Sequence, residues 1–235
     1  MSVLNDPDLE RRLAALHARS DDQLAALRAY RDERAKQDHH PDAEDPARIK
    51  AFLSDKLVAL DRDKAEFCYQ LLRATNARRV VEIGTSYGVS TLYLAAALRD
   101  NVQGTADTAV VIGTEYEPEK AVAARTEIAE AGLSRFVHLL EGDLRETLKE
   151  IDGPIDFMLV DIWIPMARPA LELVAPLLRP GAIVLCDNTE HYREAYAEYF
   201  EFLNDPTNHF RTMTLPFSGG FELSVFTPPT GTPKA

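Results

Sequence analysis

From Ala51 onward, two textures alternate along the chain. Short, almost wholly apolar runs, "RRVVEIG", "AVVIGTEY", "FVHLLEGD", "IDFMLVDIW" and "GAIVLCDN", read as strands buried on both faces. Between and before them lie segments with helical spacing: "DKAEFCYQLLRAT", "STLYLAAALR", "EKAVAARTEIAEAG", "LRETLKEI" and "ARPALELVAPLL". Strand and helix in strict alternation predict an α/β fold with a doubly wound, mostly parallel sheet covered by helices on both faces. The later runs "FRTMTLPF" and "FELSVFTPP", joined through Gly219 and Gly220, predict an antiparallel C-terminal hairpin completing that sheet. Residues 1–50 differ in texture. They are heavily charged, with apolar positions Leu9, Leu13, Leu16, Leu24 and Leu27 at helical intervals and a polar break, "DHHPDAEDP". The chain therefore divides into an N-terminal helical arm (1–50), a main domain (51–228) and a loose tail (229–235). The arm's stripe serves either packing on its own domain or a contact in a homodimer or lid. His39 and His40 read as solvated loop residues, because they lack a neighbouring cysteine or carboxylate cluster.

Composition narrows the choice of partners. A chain of 235 residues, 46% hydrophobic, suffices for one sizeable core. A formal net charge of -12 argues against a nucleic-acid or anionic-membrane partner, since the far field repels polyanions and no basic patch interrupts it. No apolar run approaches the ~18 residues of a membrane span. The two cysteines, Cys68 and Cys186, lie in apolar segments, and no leader pattern precedes them, so a soluble, reduced, cytoplasmic protein is expected.

In a doubly wound sheet the ligand lies beyond the carboxyl ends of the strands, near the reversal of winding. After the first strand comes "GTSYGVS", with Gly84, Ser86, Gly88 and Ser90. Its glycines are four apart, unlike the G-x-G-x-x-G of dinucleotide sites, which makes a pyrophosphate ligand a poor match. Glu82 lies inside the preceding strand, where a carboxylate is costly to bury unless it meets a cation or donors; a ligand amino group would meet that need. Glu115, followed by Tyr116, ends the second strand and is placed to accept from both hydroxyls of a ribose. After the third strand, Asp143, flanked by Gly142 and Leu144, can accept from an adenine amino group or simply cap the next helix. In order, these positions describe an adenosine held across three strand ends with a cationic group beside the glycine turn.

The segments "VVEIGTSYGVSTLYLA", "VIGTEYEP", "LLEGD", "FMLVDIW" and "LLRPGAIVLCDN" resemble the S-adenosylmethionine-dependent O-methyltransferases of the catechol and caffeoyl-CoA type over roughly residues 55–227. The resemblance implies a seven-stranded sheet with the last strand antiparallel. It also implies that the methyl donor is bound at Glu82, Gly84, Ser86, Gly88, Ser90, Glu115, Tyr116, Gly142, Asp143, Leu144, Asp161 and Trp163. In the family, residues matching Asp161, Asp187 and Asn188 hold a divalent cation that chelates two vicinal hydroxyls, so Mg²⁺ is an implied second cofactor. Three oxygen ligands from adjacent strand ends suit such a hard cation. On the other reading, Asp187 and Asn188 only turn the chain, with Asn188 or Thr189 capping a helix over "EHYREAYAEYFEFL".

One departure affects the chemistry. The catechol-type general base is a lysine three residues beyond the aspartate matching Asp161, and here that position is Ile164, which accepts no proton. Asp161, where no metal binds, and His191 are the candidate bases. Trp163 walls a pocket or packs in the core. The expected activity is methyl transfer to a hydroxyl oxygen of a small molecule. A noncatalytic adenosine-binding module is the alternative that Ile164 and the charged arm suggest. A nicotinamide-linked oxidoreductase is disfavoured by the glycine spacing and by "CDN".

Overall fold

The computed structural model describes residues 3–36 and 52–229. His39, His40, the polar break and residues 230–235 lie outside the described residues. The chain divides into two compact units, Met1–Ala59 and Leu60–Ala235. The first holds helices α1 (Pro7–Asp21) and α2 (Leu24–Lys36). Helix α1 starts where it does because the Asp6 side chain accepts the Leu9 amide at 3.1 Å and Pro7 presets the first turn, where Asp8 and Glu10 complement the helix dipole. Leu9, Leu13 and Leu16 of the stripe are buried. Gln23 and Ser20 accept the amides of Leu57 and Ala59 at 3.0 and 3.1 Å, and Tyr30 stacks on Phe52 with centroids 3.9 Å apart.

The second unit is a seven-stranded sheet in the order β3-β2-β1-β4-β5-β7-β6. Its strands are β1 (Arg79–Ile83), β2 (Val110–Glu115), β3 (Val137–Glu141), β4 (Ile155–Val160), β5 (Leu178–Asp187), β6 (Phe210–Leu215) and β7 (Phe221–Phe226). The first five pair in parallel, whereas β7 runs antiparallel to both β5 and β6. This is the expected doubly wound α/β sheet with its C-terminal hairpin. The central strands are apolar throughout because both faces are covered: Val80, Val81, Phe157, Met158, Leu159 and Val160 have no exposed surface.

The helices follow the same logic. Helix α3 (Arg62–Ala74) buries Lys64, Ala65, Cys68, Tyr69 and Leu72 along one face. Helix α4 (Val89–Val102) packs against α3 on one side and β2 on another, so it is apolar nearly all round. Helix α5 (Pro118–Glu130) carries Pro118 in its first turn, and α6 (Leu144–Thr147) is one turn that tightens into a 3₁₀ turn at Leu148–Glu150. Helix α7 (Ile164–Val174) begins beside Trp163, and α8 (Ala197–Asn204) is much shorter than the helix expected over "EHYREAYAEYFEFL". Residues 188–196 form turns instead. The cause lies in the hairpin: the Gly219 carbonyl accepts the amides of Glu190 and His191 at 3.0 and 2.9 Å, and Asn188 adopts a left-handed φ of 59°. The start of the segment is bonded to the β6–β7 turn, and only scattered bonds, such as Tyr192 to Asn188 and Tyr196 to Tyr192, run within it.

Strands β1 and β4 converge at their carboxyl ends, where the Asp161 amide donates to the Ile83 carbonyl at 3.0 Å. Gly84 then has no room for a side chain. A Cβ there would lie 2.1 Å from the Asp161 carbonyl oxygen, and its φ of +93° disfavours any L residue. Gly84→Ala is expected to lower the unfolding free energy by roughly 3 kcal/mol from clash and backbone strain together, read as a fall in the urea midpoint. An unchanged midpoint would show that β1 and β4 do not approach this closely.

Candidate active site

The order β3-β2-β1-β4-β5 reverses between β1 and β4, and that reversal opens the crevice in which this architecture binds ligands. The segments after β1, β2 and β3 border one side of it, and those after β4 and β5 border the other. All the sequence-predicted site residues except His191 lie in or beside these strand ends.

After β1 the chain turns tightly. The Gly84 amide donates to Thr114 Oγ1 at 3.2 Å, the Thr85 amide to the Thr114 carbonyl at 2.9 Å, and the Gly88 amide to the Thr85 carbonyl at 2.8 Å. Gly88, with φ of 84°, caps α4 and faces Ala124 of α5, where an added Cβ would sit 3.4 Å from the alanine Cβ. Ser86, itself at φ 49°, points its amide at Glu115 Oε2, 2.7 Å away. The amide of Glu117 holds Oε1 of the same carboxylate at 2.8 Å. Glu115 is thus fixed in place by two backbone donors, with lone pairs remaining on both oxygens for hydroxyl donors.

Glu82 is fully buried. Its Oε2 accepts from the Thr85 hydroxyl at 2.8 Å and from the Thr91 hydroxyl, Ser90 also hydrogen-bonds the carboxyl, and Oε1 has no hydrogen-bond partner. Burial pushes this carboxyl above the ordinary range, against the hydroxyls of Thr91, Ser90 and Thr85, and the charge of Glu115 pushes it further. Gly113 on β2 makes room, since a Cβ there would be 2.4 Å from Thr85 Oγ1. Ser90 is therefore spent on Glu82 rather than offered at a free helix terminus. An unpartnered carboxylate oxygen and a Glu115 with spare lone pairs fit a donor carrying an ammonium group and a ribose.

After β3, the Gly142 amide donates to the Glu115 carbonyl at 2.9 Å. Asp143 caps α6 by accepting the Arg145 amide at 2.9 Å, and its carboxylate is forked by the Arg145 guanidinium, with one contact at 2.6 Å. That guanidinium holds the Asp143 carboxyl down to about 2. Leu144 is buried and Tyr116 exposed.

After β4, Asp161 and Trp163 are half-buried, and Ile164, at the first position of α7, packs against the core beside Ile162 and Met166. Burial raises the Asp161 carboxyl well above its usual value, the charges of Asp187 and Glu82 add to this, and Lys64 partly offsets it. After β5 stands a residue that the motifs did not announce. Lys64 of α3 is 1% exposed; its Nζ donates to Asp187 Oδ1 at 2.7 Å and lies 3.0 Å from Asp61 Oδ2. Burial alone would lower its pKa, but Asp187 and Asp61 outweigh that and keep it above the ordinary lysine value. The other Asp187 oxygen accepts from Asn188 Nδ2 at 2.8 Å.

The donor set Asp161, Asp187 and Asn188 does not fit a divalent cation in this arrangement. Both Asp187 oxygens are engaged, one by a cation, and Asn188 turns its amide nitrogen toward Asp187. His191 is exposed, sits in the turn segment and stacks edge-on against Tyr192 at 4.6 Å. It borders an open cavity of about 660 Å³ that Glu190, Thr214, Pro216, Phe217 and Gly219 also line.

Residues 81–189 match the family model described as a methyltransferase domain. The chain is 31% identical over 132 residues to a catechol O-methyltransferase of Mycobacterium tuberculosis, covering 56% of this chain and 57% of that one. A catechol O-methyltransferase of Niastella koreensis is 28% identical over 135 residues, 56% and 58% of the two chains. The chain thus spans little more than half the length of these curated relatives. Among solved structures, the O-methyltransferase TomG of Streptomyces achromogenes, in complex with SAM, superposes with a TM-score of 0.62 at 25% identity over 79% of this chain and 91% of that one. The Bacillus cereus O-methyltransferase in complex with SAH gives 0.64 at 22% identity, over 77% and 88%, a likeness of fold. The resemblance carried by the sequence motifs is met by these relatives.

Lys64 and Thr91 escaped the sequence reading, although each left a signal. Lys64 stands one helical turn before Cys68 within the buried face of α3, and Thr91 is a buried hydroxyl in the first turn of α4.

The core of the sheet has a pH signature at Glu82. With its carboxyl raised above the reference value of 4.5, the native state binds more protons than the unfolded state above that pH, so its contribution to stability falls as pH rises. In Glu82→Gln that slope is absent. Urea unfolding at pH 5 and pH 8 is expected to show the stability of the variant rising relative to that of wild type at the higher pH; a relative stability that is unchanged or falls toward pH 8 would contradict a buried, raised carboxyl.

Proposed function

We propose that this protein transfers the methyl group of S-adenosylmethionine to a hydroxyl oxygen of a small molecule. The observation that carries the reading is the arrangement at β3-β2-β1. An acid with spare lone pairs (Glu115) lies between a glycine turn backed by an unsatisfied buried carboxylate (Glu82) and the Gly142–Leu144 loop. The catechol O-methyltransferases among the relatives support it.

When bound, S-adenosylmethionine supplies a methyl group made electrophilic by its sulfonium sulfur. Glu115 accepts from the ribose hydroxyls, Glu82 stands behind the turn that receives the amino-acid end, and Gly84, Ser86, Gly88 and Ser90 shape that turn. Tyr116, Gly142, Asp143 and Leu144 border the base, with Trp163 at the opposite wall. Asp143 gives the adenine less than its position promises, because Arg145 already occupies its carboxylate. Asp161 takes the acceptor's proton, with His191 at the cavity mouth as the second candidate; Ile164 takes no part. Burial disfavours a free alkoxide or phenolate, so proton removal coupled to attack, with the oxygen oriented in line with the sulfonium methyl, carries much of the acceleration.

The acceptor is a small hydroxylated compound, and the acidic chain suits neither nucleic acid nor an anionic membrane. Among the described residues no helix is long and apolar enough to cross a membrane. We place the protein in the cytoplasm, where its free, buried Cys68 and Cys186 stay reduced. A homodimer through the N-terminal arm is part of the same reading.

Calorimetry with S-adenosylmethionine is expected to show one site per chain, and Glu115→Ala to weaken it by about tenfold to a hundredfold through the loss of one or two charge-assisted hydrogen bonds. Absence of heat from the wild type would overturn the reading. Release of S-adenosylhomocysteine across a panel of phenols, catechols and hydroxylated sugars separates an enzyme from a binding module.

A further inference from the structure

We propose that Lys64 is the resident cation of this site, supplying beside Asp187 the positive charge that a divalent metal would otherwise bring. Its role in the reaction rests on the methyltransferase reading; its place in the structure does not.

The geometry of Asp187 carries the inference. The carboxylate ends β5, where it pairs in register with Phe221 of β7, and its carbonyl accepts from the Tyr196 hydroxyl at 3.1 Å. Of its two side-chain oxygens, Oδ1 holds Lys64 and Oδ2 holds the Asn188 amide. A divalent cation could enter only by breaking the 2.7 Å ion pair and then sitting within a few ångströms of the displaced ammonium. Like charges at such a distance repel strongly where water is excluded, and the Asp187 side chain is only 7% exposed. The lysine is not placed to swing away. It projects from the middle of the first turns of α3, an element whose face toward the sheet is buried through Ala65, Cys68 and Leu72. Asp61 takes a second of its N–H groups, and the Phe221 ring lies 6.0 Å beneath the ammonium. Phe221 in turn packs on Phe67 and Phe217, and Phe217 lines the open cavity.

A lysine so held can do part of a metal's work. It fixes the orientation of Asp187 and keeps a positive charge beside two acidic strand ends, Asp161 and Asp187. It does not chelate: with two N–H groups committed, at most one is left for a ligand. Lys64 is thus a positioning residue.

The test is Mn²⁺ binding to the full chain, followed by the electron paramagnetic resonance signal of the free aqua ion. Wild type and Lys64→Arg, which keeps the charge, are expected to leave Mn²⁺ free at concentrations where Lys64→Gln takes up one ion per chain, at least tenfold more tightly. Asp187→Asn in the Lys64→Gln background should abolish that uptake. Wild type that binds one Mn²⁺ as tightly as Lys64→Gln would overturn the proposal. So would a folded Lys64→Gln that binds none, since the lysine would then exclude nothing. If circular dichroism shows Lys64→Gln unfolded, Lys64→Met is read in its place under the same criteria. Calorimetry with S-adenosylmethionine on the same wild-type sample keeps the two readings apart: failure of donor binding removes the methyltransferase assignment without touching the Mn²⁺ result.

Discussion

The ion pair between Lys64 and Asp187 ties the first helix of the main unit to the last parallel strand of its sheet. Removing either partner would leave an uncompensated charge in a nearly dry environment, which costs several kcal/mol in typical proteins. Helix α3 lies early in the chain and β5 more than a hundred residues later, so the pair joins segments distant in sequence. The β5 strand end is built around Asp187. Asn188 turns back to Asp187, Tyr196 seals its carbonyl, and the segment that might have wound into a longer helix is drawn onto the β6–β7 turn.

The other side of the crevice follows a different principle, the satisfaction of buried acceptors. Glu82 gathers the hydroxyls of Thr85, Ser90 and Thr91 into a space cleared by Gly113, and still retains an oxygen without a donor. Glu115 is held by backbone amides alone. These two carboxyls are positioned by hydrogen bonds rather than by countercharges; Glu115 at the strand end keeps lone pairs for a ligand, whereas Glu82 is fully buried behind the turn. Across the reversal point, by contrast, Asp187 is already paired with a cation of the chain.

The alternation of apolar runs and helical segments made the sheet, its parallel core and its terminal hairpin legible, because strands buried on both faces leave an unmistakable pattern. The glycine turn and the acidic strand ends were legible for the same reason: backbone approach demands glycine, and strand ends meet the ligand. Two things were not. The helix expected over "EHYREAYAEYFEFL" has helical composition, but its start is set by hydrogen bonds to Gly219, a contact thirty residues away in sequence that local pattern does not register. Lys64 was hidden because its meaning depends on Asp187, and sequence spacing does not reveal that pairing. The strand-end motif "CDN" suggested a metal from its own residues, while the group that answers it sits on a helix preceding the first strand.

An ammonium built into the chain differs from a bound ion in how it is supplied. It arrives with translation, at a fixed stoichiometry of one per polypeptide, and no competing chelator, phosphate pool or shift in cellular magnesium can draw it away. On the proposal that Lys64 is the resident cation, its setting in α3 removes one variable from the working conditions of this crevice and transfers its control from mineral supply to the integrity of a single helix.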